Sequence, residues 1–225
     1  VRAKPPVEAL VIGCRGVMGS QGGVDGLIRV LAHLRHDLGR TDFSAKIIGN
    51  GPAVPSLRRL VKELHLADCV EFTGYLVGTE LHDAMSSIDI ATTPDPSNAY
   101  NDSCTMIKVM EYMALGKPIV AFDLPESRIT AGDAAWFATG NNVEEFARGM
   151  SHLMDDPQRR HQMGLAGLQR VKDRFAWDFQ KEHLLNVYAR VLPVASATET
   201  ASATPATVRP VERAVTDAAP KRISI

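Results

Sequence analysis

Short, strongly apolar runs alternate along this chain with longer segments of helical period, and that alternation limits the fold more than any other feature. Ala9-Leu10-Val11-Ile12-Gly13, Ala45-Lys46-Ile47-Ile48-Gly49, Cys69-Val70-Glu71-Phe72, Ile88-Asp89-Ile90-Ala91, Pro118-Ile119-Val120-Ala121-Phe122 and Ala134-Ala135-Trp136-Phe137 read as strands. Between them, Val24, Leu27, Ile28, Leu31, Leu34 and Leu38 recur at three- and four-residue spacing, as the buried face of a helix does. Leu57, Leu60, Val61 and Leu64 mark a second helix and Leu81–Met85 a short third. A further helix runs through Met106, Ile107, Val109, Met110 and Met113 until Gly116 and Pro118 stop it. Three more are expected near Val143–Met154, Pro157–Arg174 and Trp177–Val191. Strands this apolar are buried on both faces, which requires a parallel sheet with helices on each side. The expected fold is therefore α/β: a doubly wound, Rossmann-like parallel sheet over residues 7–192.

The ends differ from this middle. Residues 1–6 begin at Val rather than Met and read as the cut edge of a fragment. From Pro193 the chain is rich in Ala, Thr, Pro and Ser and holds no Leu or aromatic residue, so residues 193–225 are expected to be a disordered tail. With 25 basic against 26 acidic residues the net charge is -1, a poor match to a nucleic-acid partner. Three cysteines, Cys14, Cys69 and Cys104, lie far apart with no CxxC pair, which excludes a disulfide scaffold and points to a reducing compartment. No apolar run approaches the roughly 20 residues that cross a bilayer.

In an open α/β sheet, ligands bind beyond the carboxyl ends of the strands, so the loops that follow strands carry the candidate site. Gly13-Cys14-Arg15-Gly16-Val17-Met18-Gly19-Ser20-Gln21-Gly22-Gly23 suits either an anion, held by backbone amides and the next helix's N-terminus, or a tight turn. It matches neither GxGxxG nor a phosphate loop. Gly49-Asn50-Gly51-Pro52 brings backbone against a ligand or simply turns the chain, and Gly74-Tyr75-Leu76 offers backbone groups to a base edge or is a plain loop. The polar loop Asp95–Ser103 feeds a helix with Asp102 or Ser103 as its expected N-cap. Glu111 follows Ser103 by eight residues, amid Met110 and Met113; it suits a ribose diol or a solvated helix position. Lys108 suits a phosphate or the open surface.

The order of five motifs resembles a known family. Ile48-Gly49-Asn50-Gly51-Pro52, Val70-Glu71-Phe72-Thr73-Gly74 and Met110-Glu111-Tyr112-Met113-Ala114-Leu115-Gly116-Lys117-Pro118-Ile119-Val120-Ala121 are similar to the C-terminal half of family-4 glycosyltransferases of the GT-B fold. Gly23-Val24-Asp25 and Phe175-Ala176-Trp177 extend the resemblance over Ala9 to Leu192. It implies a domain that holds a nucleoside diphosphate sugar as donor substrate, retaining transfer, and no metal or other cofactor. It also implies an N-terminal acceptor-binding domain, upstream or on a separate polypeptide, a cytoplasmic location, and peripheral contact with the inner membrane face through that other half. Glu111 matches the second glutamate of the family's E-x7-E element. The first falls on Ser103, with Asp102 one position away and able to take its role. Thr105 and Met106 fall where family members offer amides to the donor, and Asn101–Lys108 looks like the loop of a bacterial polysaccharide-synthesis subgroup. The Arg and Lys that many members use against the pyrophosphate fall on Val17 and Gly22, leaving Arg15 and Lys108, or the amides of Gly16 and Gly19, to supply that role.

Two functions follow as expectations. The first is the donor-binding domain of a retaining glycosyltransferase, acting on a polysaccharide or glycolipid acceptor and inactive without an acceptor domain. The alternative is a non-catalytic nucleotide-binding or interaction module derived from such an enzyme, motivated by the missing cations and the non-acidic Ser103. A sugar-nucleotide epimerase of the same architecture fits the Met110–Ala121 pattern less well.

Overall fold

The computed structural model describes residues 9–19 and 21–192; the expected N-terminal edge (1–6) and tail (193–225) lie outside the described residues. The chain divides into two units, Val1–Leu184 and Leu185–Ile225, and the sheet and site belong to the first. Among the described residues, β1 (Leu10–Arg15), β2 (Phe43–Ile48), β3 (Val70–Gly74), β4 (Ile90–Thr93), β5 (Ile119–Phe122) and β6 (Ala135–Ala138) form one sheet. All pairs are parallel and the order is β3-β2-β1-β4-β5-β6. The helices are α1 (Val24–His36), α2 (Val54–Glu63), α3 (Gly78–Ser86), α4 (Ile107–Ala114), α5 (Pro125–Ala131), α6 (Val143–Asp155), α7 (Pro157–Arg170) and α8 (Trp177–Val191).

Side chains alternate across the strands and so build two cores. Ile12, Cys14, Ile47, Ile90, Val120 and Phe122 pack with Leu27 and Leu31 of α1, Leu57 of α2 and Phe146 and Met150 of α6. Ile48, Ala91, Ile119 and Ala121 pack on the other face with Met85 of α3, Val109, Tyr112 and Met113 of α4, and Ala131 of α5. Each fully buried Leu or Ile of α1, such as Leu27, Ile28, Leu31 and Leu34, contributes roughly 1.5–3 kcal/mol of transfer free energy. Both faces are covered, as the apolar strands demand.

Several boundaries move, each for a physical reason. β1 runs two residues past Gly13, because Cys14 is buried against α1 and Arg15 pairs with Ile48 of β2. β4 begins at Ile90, since Asp89 is spent on Val11, whose amide donates to its carboxylate at 2.8 Å. It continues through Thr92 and Thr93, two residues past the expected end at Ala91. The helix after that loop does not start at Asp102 or Ser103. Those residues form a 3-10 turn, Asn101–Ser103, and α4 starts at Ile107 with Met106 as its N-cap residue and no side-chain cap. α5 was not expected: seven residues opening on Pro125 carry too little apolar period to read. The long helix expected over Pro157–Arg174 ends at Arg170 and passes into a π-helical turn, Val171–Phe175.

Candidate functional site

The strand order reverses between β1 and β4, so a crevice opens where their following loops part. β1 ends there on Arg15. Its backbone N–H donates to the Tyr112 hydroxyl at 2.7 Å, and its Nη1 lies 2.5 Å from Oε2 of Glu111. About a third of each of the two charged side chains remains exposed (32% and 33%), so the pair borders solvent. Tyr112 is wholly buried, which pushes its hydroxyl well above the ordinary range; the nearby Cys14, Asp95 and Glu111 act in the same direction.

β4 delivers a second pair. Asp95, two residues past its end, receives Lys108 Nζ on both carboxylate oxygens, at 2.8 and 2.7 Å. Both are nearly sealed, with side chains 14% and 5% exposed for Lys108 and Asp95. Such a pair gains little net stability, but either partner alone would be a buried charge. Cys14 is wholly buried close by, and burial pushes its thiol up to about 11 against an opposing pull from Lys108. On α4, Lys108, Glu111 and Tyr112 stand at i, i+3 and i+4 and therefore share one face, turned to the end of β1.

Two clefts flank this point. The smaller, about 150 Å3, is lined by Arg15, Gly16, Val17, Ile48, Gly49, Asn50, Tyr75, Leu76 and Leu81. The larger, about 420 Å3, includes Arg15, Gly16, Val17, Asp95, Thr105, Met106 and Lys108. Arg15, Gly16 and Val17 are the wall common to both. Gly49 makes the smaller cleft possible: its φ is +133°, and a Cβ there would stand 1.9 Å from the Gly16 carbonyl oxygen.

The candidate residues separate accordingly. Arg15 and Gly16 border both clefts, Gly49 and Tyr75 the smaller, and Thr105, Met106 and Lys108 the larger. Glu111 reaches the site through Arg15. Gly51 and Gly74 shape it from behind. A Cβ on Gly51 would meet the Met18 carbonyl oxygen at 2.4 Å, and the Gly74 carbonyl accepts from the Gly49 amide at 2.9 Å. Gly19 lines neither cleft, nor do Asp102 and Ser103. One Asp102 oxygen accepts from Ser97 Oγ at 3.2 Å, and the other is buried without a partner among the described residues. Ser103 Oγ donates to the Ala99 carbonyl at 3.3 Å. Their loop is held by the buried Asn101, whose amide donates to the carbonyls of Gln21 and Pro96 at 3.1 and 2.8 Å.

The sequence model of the family described as "Glycosyl transferases group 1" matches residues 9–156. This chain belongs to that family. Among the relatives of this group 1 chain is a GDP-mannose-dependent alpha-(1-6)-phosphatidylinositol monomannoside mannosyltransferase of Mycolicibacterium smegmatis. It is 28% identical over 172 residues, covering 74% of this chain and 44% of the relative. The group 1 chain thus spans about half the length of the curated relatives it matches. Its fold is similar to part of TarM from S. aureus (TM-score 0.71, 15% identity, 80% of this chain and 35% of that one). The Anabaena protein HepE, solved with UDP, is also alike (TM-score 0.68, 18% identity, 81% and 49%). The described sheet is one Rossmann-like half of a GT-B glycosyltransferase fold.

Three residues that line or support the clefts were not among the candidates: Asp95, Tyr112 and Glu126. Asp95 had a usable signal, as the first charge after a strand at the sheet's switch point. Tyr112 had the i+4 relation to Lys108. Glu126, which accepts from the Thr105 hydroxyl at 2.9 Å, lies on the unexpected α5 and had none.

Proposed function

We propose that this chain is the donor-binding part of a retaining glycosyltransferase, moving a sugar from a nucleoside diphosphate sugar to a polysaccharide or glycolipid acceptor. An acceptor-binding domain, on the same or a separate polypeptide, completes the active site, and without it the chain does not turn over. The reaction needs no metal and takes place in the cytoplasm at the inner face of the membrane. One observation carries this reading: two clefts of different character meet at Arg15–Gly16–Val17, at the switch point of the sheet. A ligand with a flat base at one end, a diphosphate in the middle and a sugar at the other has that shape.

In this arrangement the base enters the smaller cleft beside Tyr75 and the backbone of Gly49. The ribose diol is accepted by Glu111, and the diphosphate lies along Gly16. Arg15 turns from Glu111 toward the phosphates, and Lys108 adds the N–H that Asp95 does not take. Those charges stabilise the diphosphate as it leaves. UDP, found with HepE, and GDP, the nucleotide of the mannosyltransferase donor, are the natural probes. Glu111→Ala is expected to weaken the better of the two by about 1.5–3 kcal/mol, the size of a hydrogen bond to a charged group. Unchanged calorimetric affinity in that variant would remove Glu111 from the site.

A second reading has its own support. Val17 and Gly22 stand where the resemblance expects phosphate-binding cations, and both remaining cations are held by carboxylates. A non-catalytic nucleotide-binding module would be built this way. Sugar transfer with donor, acceptor and an acceptor domain supplied rejects it; nucleotide binding with no transfer under the same conditions supports it.

A further inference from the structure

Resting on the donor-binding reading above, we propose that Thr105 and Glu126 are the element that reads the transferred sugar, with Glu126 positioning Thr105 as a hydrogen-bond acceptor. Thr105 lines the larger cleft just ahead of α4. Its Oγ1 donates to Oε2 of Glu126, in the first turn of α5, at 2.9 Å. A threonine hydroxyl has one proton and two lone pairs, and a carboxylate can only accept. With its proton committed to Glu126, Thr105 turns lone pairs to the cleft and favours a partner that donates. Sugar hydroxyls donate; phosphate oxygens do not.

The helix that carries this carboxylate is held from two sides. Below it, Arg128 grips both oxygens of Asp123, each at 2.6 Å, and lies 4.5 Å over the Phe137 ring. At the far end of α5, Arg170 of α7 donates to the carbonyls of Ile129 and Thr130. The α5 backbone under Glu126 is thus fixed before a ligand arrives, and its carboxylate already meets Thr105, so little ordering cost falls on binding. Thr105 itself is exposed, and a solvent-facing hydrogen bond of this kind adds little to folding. Its geometry serves the cleft rather than the core. The arrangement also separates tasks, since Arg15, Gly16 and Glu111 meet the nucleotide while Thr105, set by Glu126, meets only what hangs beyond the diphosphate.

The test compares bare and sugar-bearing nucleotides. Dissociation constants for UDP and UDP-glucose, and for GDP and GDP-mannose, are measured by calorimetry on the 225-residue chain and on Thr105→Val, Glu126→Ala and Glu126→Gln. Thr105→Val and Glu126→Ala are expected to weaken the sugar-bearing form about five- to tenfold while leaving the bare nucleotide and the melting temperature unchanged. Glu126→Gln keeps an amide oxygen that accepts the same proton and is expected to restore the wild-type ratio. Equal weakening of both forms, or an unchanged ratio in Thr105→Val, overturns the proposal alone. A wild-type chain that binds neither nucleotide overturns the donor-binding reading and this proposal together.

Discussion

Arg15 ties the end of a central strand to a helix face twice, once through its backbone amide and once through its guanidinium. The neighbouring Asp95–Lys108 pair is the more demanding arrangement, because both charges are nearly sealed. Lys108→Met leaves Asp95 as an uncompensated buried carboxylate and is expected to cost about 3–5 kcal/mol, read from the urea midpoint. The double variant Lys108→Met/Asp95→Leu should recover most of that loss. Cys14 gives a pH dependence with a definite sign. Its folded thiol holds its proton up to about 11 against an ordinary 9.0, so the fold binds that proton more tightly than the unfolded chain. The contribution is complete below pH 9 and is lost as pH rises toward 11, roughly 2–3 kcal/mol in all. Stability curves for wild type and Cys14→Ala should therefore converge across that window; parallel curves would contradict it. Glu111 and Lys108 were legible as candidates because a charge among methionines invites a question. What each charge pairs with was not legible: Arg15 lies 96 residues from Glu111 and only the sheet order brings them near, while Asp95, 13 residues before Lys108, read as one polar residue of a loop.

Strands were easy to read because their apolar runs are continuous, while helix starts were harder because local polar chemistry competes with them. Asp102 and Ser103 have the residue types of an N-cap, yet Asn98 and Asn101 draw the backbone into a separate 3-10 turn. The Asn98 side chain accepts from the amides of Tyr100 and Asn101 at 3.0 and 2.9 Å. The true side-chain caps lie elsewhere. Asn142 accepts from the Glu145 amide at the start of α6, and Asp156 from the Arg159 amide at the start of α7. Asn142→Ala and Asp156→Ala should each cost about 1 kcal/mol by thermal denaturation, whereas Ser103→Ala should cost far less. α7 is held against the end of α4 by close backbone approach: a Cβ on Gly164 would stand 2.2 Å from the Gly116 carbonyl oxygen. That contact has no signature in hydrophobic period, which is why α7's role in supporting the site-bearing helix was invisible.

For the described sheet as a whole, binding and folding are linked. A nucleotide that holds Arg15 at the end of β1 and Glu111 on α4 joins groups 96 residues apart in sequence, so it binds only the folded chain. At a hundredfold excess over its dissociation constant, UDP or GDP should raise unfolding free energy by about 2.7 kcal/mol, seen as a higher melting temperature. Glu111→Ala should reduce that rise at fixed ligand concentration, and no rise with either nucleotide in the wild type would count against a donor site.

The common wall of Arg15, Gly16 and Val17 has a consequence for how such a chain changes over generations. Residues on its Tyr75 side and residues on its Thr105 side belong to different loops, fed by different strands. A substitution in one leaves the other's geometry in place. If the proposed donor site holds, the carrier nucleotide and the cargo it brings can then drift separately, and a lineage can acquire a new sugar while keeping the handle by which every sugar arrives.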